Sequence, residues 1–287
     1  MSARILLLVA CACLSCGPAA DRKQTISVSI LPQRYFVERV AGDLVKVNVM
    51  IPPGANPATC DMTPGQMKEL ERSSIYFAVG YLPFEETHLY PLLEKRKDIL
   101  LVSHSEGEQL LEGTEGTAGT TDGHHHLIDP HIWMSPARAK RMAVTIARVL
   151  GEQFGDQRER FEKNLRQLTA EIDSIDNEAR RLLAKKQNKV FLVYHPALTY
   201  FADDYGMEQL VIEHEGKEPS PLHLKRVIDA CRERSVKTVF IQGQFDKQNA
   251  IAVAREINGQ VIAIDPLNPD WKAEMLSLLS IIDAHVE

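Results

Sequence analysis

Three side chains stand where an α/β sheet gathers its chemistry. His195 directly follows the apolar run KVFLVY, Asp265 directly follows QVIAI, and His131 lies in Asp129-Pro130-His131-Ile132-Trp133, just ahead of a helix start at Ser135-Pro136. Ligands of parallel sheets collect at the carboxyl ends of the strands, so these two imidazoles and one carboxylate are expected to converge. Neutral imidazole nitrogen and carboxylate oxygen are both good donors to a borderline divalent ion such as zinc. Any one of the three alone reads as an ordinary polar residue at a strand end. Together, and beside the run Gly123-His124-His125-His126, they point to metal binding.

The elements that must position them form one α/β pattern, an interruption and a second α/β pattern. Val- and Ile-rich runs at residues 25–31, 45–51, 75–79 and 99–103 read as strands of a first lobe, within residues 24–150. Thr63-Pro64-Gly65-Gln66 predicts a helix start, with a capping threonine, proline in the first turn and Gln three residues on. Residues 105–126 lose all apolar periodicity and become Glu, Gly and Thr, which predicts a mobile loop carrying His124, His125 and His126. Fixing such a loop around an ion costs about 1–2 kcal/mol per residue. Its histidines are therefore expected to be accessory to the ligands preset at strand ends. From Phe161 the apolar positions alternate in steps of four and three, so residues 156–186 read as one long amphipathic helix linking the lobes. Strands at residues 189–194, 209–212, 237–241 and 260–264, alternating with helices near 222–234, 247–257 and 271–284, complete a second lobe within residues 187–287. The fold class expected is α/β, with two lobes of mostly parallel sheet flanked by helices.

The start of the chain sets the compartment. Arg4 precedes an eleven-residue apolar run, ILLLVACACLS, too short to cross about 30 Å of hydrocarbon as a helix. It reads as a signal peptide ending at Leu14-Ser15-Cys16-Gly17. That segment resembles a lipobox, so residues 1–16 are expected to end in a lipidated Cys16 and the mature protein to be exported and anchored to a membrane by its lipid. Only Cys60 and Cys231 then remain, in different lobes, where a disulfide would oppose opening of the cleft. The chain has 33 Lys and Arg against 39 Asp and Glu, a net charge of −6 that becomes one unit more negative when Arg4 is lost. That balance argues against a nucleic-acid partner.

At this point the chain resembles the solute-binding proteins of zinc and manganese ABC importers, including the zinc-uptake binding proteins. The resemblance rests on Pro52-Pro53-Gly54-Ala55-Asn56-Pro57 with Pro64, on Asp129-Pro130-His131-Ile132-Trp133-Met134-Ser135-Pro136, and on His195-Pro196-Ala197 with Tyr200-Phe201 and Tyr205-Gly206. Glu218-Pro219-Ser220-Pro221 and Asp265-Pro266-Leu267 extend it over nearly all of the mature chain. It implies two lobes joined by a long helix, His131, His195 and Asp265 as metal ligands, and a membrane permease as partner of a monomeric, periplasmic or outer-face binding protein. Manganese members tend to carry Glu at the position of His195, so the resemblance implies zinc ahead of manganese.

The departures from that pattern bear on the site. The resemblance implies a histidine after Pro57, where this chain has Ala58, an aromatic residue where it has Cys60, and a glutamate where it has Gln242. If residues 58–60 are extended, positions 58 and 60 share a side, and Cys60 offers a thiolate in place of the missing imidazole. The other reading of Cys60 is a small thiol packed where the aromatic ring would be. Glu213, His214 and Glu215 are further candidates for a substitute ligand. A zinc hydrolase is a separate reading, but the chain has neither HExxH nor Gly-x-Ser-x-Gly. A binding or adhesion protein that lost tight metal binding is another, motivated by Ala58.

Overall fold

The computed structural model describes residues 24–113, 128–213 and 217–286; Cys16, His124, His125, His126, His214 and Glu215 lie outside them. The first lobe is β1 (Gln24–Val28), α1 (Leu31–Ala41), β2 (Val45–Val49), α2 (Pro64–Leu70), β3 (Ser73–Ala78), α3 (Tyr90–Leu93) and β4 (Leu100–Ser103). Its strands pair in the order β2-β1-β3-β4, all parallel. α4 (Pro136–Gln153) and α5 (Arg158–Leu183) follow. The second lobe is β5 (Val190–Val193), α6 (Thr199–Tyr205), β6 (Glu208–Val211), α7 (Pro221–Glu233), β7 (Thr238–Gln242), α8 (Lys247–Glu256) and β8 (Gln260–Ile264), ending in α9 (Trp271–His285). Its sheet is again parallel, in the order β6-β5-β7-β8. In each sheet the chain first steps outward and then crosses back, leaving a switch point between β1 and β3 and another between β5 and β7. Crevices for ligands form at such points.

Local chemistry accounts for the boundaries. The Thr63 hydroxyl accepts from the Gln66 N–H at 3.3 Å while Gln66 Oε1 accepts from the Thr63 N–H at 2.8 Å, the reciprocal cap expected of that sequence. Ser135 caps α4 by accepting from the Arg138 N–H at 3.1 Å. The long helix is shorter than residues 156–186, because Gly155–Gln157 forms a 3₁₀ turn ahead of it. Its 26 residues run about 39 Å at 1.5 Å per residue. Phe161, Leu168, Ile172, Ile175 and Ala179 form its buried stripe.

The terminal helix makes contacts beyond the second lobe. Trp271, at the start of α9, packs its ring on Phe36 of α1, with centroids 5.2 Å apart, and Lys272 bonds Glu171 of α5, which also pairs with Arg39 of α1. The helix expected in lobe two thus also packs on lobe one at its start, while its far end stays on the second sheet, where the Thr238 hydroxyl donates to the His285 carbonyl at 3.3 Å. Its buried face, Trp271, Met275, Leu278, Leu279 and Ile282, joins a continuous core with Phe36, Phe77, Trp133, Phe201 and Phe240, while a smaller core of Leu192, Leu210, Val239 and Val253 lies on the other face of the second sheet. Among the described residues no helix is long and apolar enough to cross a membrane.

One buried group makes the fold sensitive to acid. His104, just after β4, is 4% exposed, stacks on Phe77 at 5.4 Å, and finds no hydrogen-bond partner for either ring nitrogen among the described residues. Burial disfavours its charged form and pushes its pKa down to about 3. Between about pH 6.5 and 3 the unfolded chain takes up a proton that the native chain does not, so stability falls as pH falls through that window. His104→Phe removes this contribution. Denaturant unfolding is expected to show that the variant loses about 2 kcal/mol less than wild type between pH 7 and pH 5; equal losses in the two proteins contradict the assignment.

Candidate metal centre

His195 leaves the end of β5 at the switch point of the second sheet, and its main chain is clamped there from β7. Gln242, 2% exposed, donates from Nε2 to the His195 carbonyl at 2.9 Å and accepts from the His195 N–H at 3.4 Å. A carboxylate at this position accepts but cannot donate. Gln242 is therefore suited to holding His195 in place through both main-chain groups.

His131 is held by a different set of bonds. Its segment is fastened to the second lobe: Tyr200 donates to the Asp129 carbonyl at 2.7 Å, and Trp133 Nε1 donates to the Pro266 carbonyl at 2.7 Å. Trp271 Nε1 in turn donates to the Trp133 carbonyl at 2.7 Å. Arg138 pairs with Asp204 at 2.7 Å and lies over the Tyr200 ring, and Ser135 donates to the same Asp204 carboxylate. The two histidines are thereby brought together, with ring centroids 5.1 Å apart.

Each imidazole hands one nitrogen to a buried carboxylate. His131 Nδ1 lies 2.8 Å from Asp129 Oδ1, which also accepts from the His131 N–H at 2.7 Å. His195 Nδ1 bonds Glu213 Oε2. Burial alone raises the Asp129 pKa, but the neighbouring His131, with hydrogen bonds from His131 and Thr199, outweighs it and holds the carboxyl below its usual range. An ionised carboxylate only accepts, so it draws the proton of a neutral imidazole to Nδ1 and leaves the Nε2 lone pair for a metal. This is the arrangement by which protein histidines are oriented toward a metal.

Both histidines line one cavity of about 760 Å³. Its far wall comes from lobe one and includes Ala58, Tyr81 and Glu86, and its remaining surface is largely apolar, with Trp133, Phe245 and several prolines. Phe245 stacks on His195 at 5.0 Å and fixes its ring plane. Among the described residues no three His, Cys, Asp or Glu side chains stand close enough to hold an ion in this form.

The remaining candidates are placed as follows. Asp265 is half-buried at the end of β8, its N–H bound to Glu274 at 2.8 Å and its Oδ1 accepting from the Leu267 N–H at 3.2 Å. Pro266 and Leu267 line the cavity, but Asp265 does not. β8 is the edge strand of its sheet, with β7 between it and β5. Cys60 is half-buried against the first core and burial pushes its thiol pKa up. Residues 58–60 are not extended, because Asn56 nucleates a turn: its Oδ1 accepts from the Ala58 N–H at 2.8 Å and its carbonyl from the Thr59 and Cys60 N–H groups. The condition under which Cys60 would share a side with position 58 is therefore not met. Glu213 meets His195 as a hydrogen-bond partner. Asp129 and Gln242 were not read as orienting groups. The signal available for Asp129 was an Asp two residues before a histidine.

The profile of the ZnuA family, zinc-uptake complex component A periplasmic, matches residues 26–286. The chain is 27% identical over 270 residues to the zinc-binding lipoprotein AdcA of Streptococcus pneumoniae (strain ATCC BAA-255 / R6), covering 91% of this chain and 53% of that protein. It thus spans about half the length of that relative. It is 27% identical over 295 residues to the high-affinity zinc uptake system protein ZnuA of Bacillus subtilis (strain 168), covering 99% of this chain and 92% of that one. A crystal structure of ZnuA superposes with a TM-score of 0.84 at 36% identity, covering 92% of this chain and 99% of the other.

Gln242→Glu tests the clamp on His195. The substitution deletes the donor to the His195 carbonyl and buries a charge beside it, so denaturant unfolding of the metal-free protein is expected to show a loss of about 1–3 kcal/mol. Wild-type stability in the variant contradicts the role given to the amide.

Proposed function

The chain belongs to the ZnuA family of periplasmic zinc-uptake components, and from that premise we propose that it captures zinc outside the cytoplasmic membrane and delivers it to the membrane permease of an ABC importer. The observation that carries this reading is the pair of imidazoles at one cavity, each with Nδ1 committed to a buried carboxylate and Nε2 left to bind. Two nitrogen donors favour zinc over manganese in the general order of divalent affinities. Asp265, set just behind the cavity lining, is proposed as an oxygen ligand reached when the ion draws the strand end inward.

The reading is of carriage without turnover. Asp129 and Glu213, the carboxylates against the imidazoles, serve as their hydrogen-bond partners and so are not at hand as general bases. An ion bound by few protein donors between two walls can leave when the walls part, which suits delivery. The lipid on Cys16 would hold the protein near its permease as a monomer, and the histidines at 124–126 would add weaker capture at scarce zinc. Relatives described as a zinc-binding lipoprotein and a zinc uptake protein support both parts of the reading.

Competitive titration against a chromophoric chelator tests it. The mature protein is expected to bind one zinc, manganese much more weakly, and His195→Ala and His131→Ala are each expected to lower zinc affinity by well over tenfold. Unchanged affinity in His195→Ala removes the basis of the reading.

A further inference from the structure

The wall of the cavity facing the two histidines carries one charged side chain, that of Glu86. Lobe one lines the cavity with Asn56, Pro57, Ala58, Leu82 and Pro83, besides Tyr81 and Glu86. The Asn56 side-chain oxygen is occupied by the Ala58 N–H, and Ala58 offers only a methyl group. Of the three carboxylates that line the cavity, Asp129 and Glu213 are bound to imidazoles, whereas no hydrogen bond or ion pair holds the exposed Glu86 carboxylate among the described residues.

The backbone that presents Glu86 is built with some strain. Gly80 has φ 94°, and a Cβ there would lie 1.9 Å from the Ser105 hydroxyl oxygen, so only glycine fits. Tyr81, a bulky residue, adopts the left-handed region at φ 63°. Glu85–Leu89 then form a π-helical turn. Such turns and such strained residues cluster at functional sites. Glu85 explains how the strain is held: its fully buried carboxylate accepts from the Val79 and Gly80 N–H groups, each at 2.7 Å, and from the Ser29 hydroxyl. With Glu85 pinned inward, its neighbour Glu86 stays outward on the cavity wall.

We propose that Glu86 is the metal ligand contributed by lobe one, meeting the ion held by His131 and His195 as the two walls approach. This rests on the reading of the cavity as a metal site. A carboxylate oxygen binds zinc as closely as an imidazole nitrogen, at about 2.0–2.2 Å. It also offsets charge: a carboxylate from the other wall, added to those already on the side of the histidines, lowers the cost of drawing a divalent cation out of water into a largely apolar cavity.

Competitive zinc titrations of the full mature chain, compared with melting of the metal-free protein, test the assignment. Glu86→Gln is expected to lower zinc affinity at least tenfold with an unchanged metal-free melting temperature, and to change the visible absorption of the cobalt(II)-loaded protein. Adding Ala58→His to that variant is expected to recover affinity by supplying a ligand from the same wall. Wild-type affinity in Glu86→Gln, while His195→Ala has lost it, overturns the role of Glu86 and leaves the metal site standing. A loss matched by a drop in metal-free melting temperature overturns it as well, because Glu86 would then be acting on the fold. No zinc binding by the wild-type chain removes this assignment together with the proposed function.

Discussion

Two histidine–carboxylate pairs govern the cleft. Asp129 and Glu213 each hold Nδ1 of one imidazole in a hydrogen bond, and the rest of the structure can be read as the means of keeping those pairs in place. Gln242 fixes the main chain that carries His195, and Phe245 fixes its ring. The ladder from Trp271 to Trp133 to Pro266 ties the His131 segment to the terminal helix and to the end of β8 at once. The large shared core and the Arg39–Glu171–Lys272 contacts hold that helix across the linking helix. Losing either carboxylate would leave an imidazole free to change tautomer or turn, and the cleft would lose a preset donor.

Much of this was legible in the sequence because its physics is local. Strands buried on both faces read as apolar runs, caps read as Thr63 to Gln66 and Ser135, and the steps of four and three from Phe161 gave the stripe that α5 buries. His195 was singled out by its place at a strand end and His131 by its place ahead of the Ser135 cap, and their rings do meet. The rest depended on partners distant in the chain. The apolar face of α9 was plain, but periodicity says that a face is buried and not against what, so the packing of Trp271 on Phe36 of lobe one could not be read. Cys60 turned on the short-range chemistry of Asn56, whose turn breaks the assumed extended backbone. Gln242 looked like a lost charge until its two bonds to His195 showed what an amide does that a carboxylate cannot.

The two walls of the cavity differ in kind. One holds the histidines, their rings fixed by Asp129, Glu213 and Phe245. The other, around residues 56–58 and 81–86, is made of turns held by Asn56 and Glu85. A division of this sort suits the proposed carriage, in which preset donors on one wall would be joined by Glu86 from the turn-built wall and released when the walls part. The largely apolar remainder of the cavity strengthens any electrostatic contact made inside it.

X-ray absorption at the zinc edge of the loaded mature protein tests the central claim most directly, since it counts donor types around the ion without assuming which residues supply them. The account predicts two imidazoles with oxygen donors completing the shell, all near 2.0–2.2 Å. A sulfur donor near 2.3 Å, or a shell with fewer than two imidazoles, would contradict it.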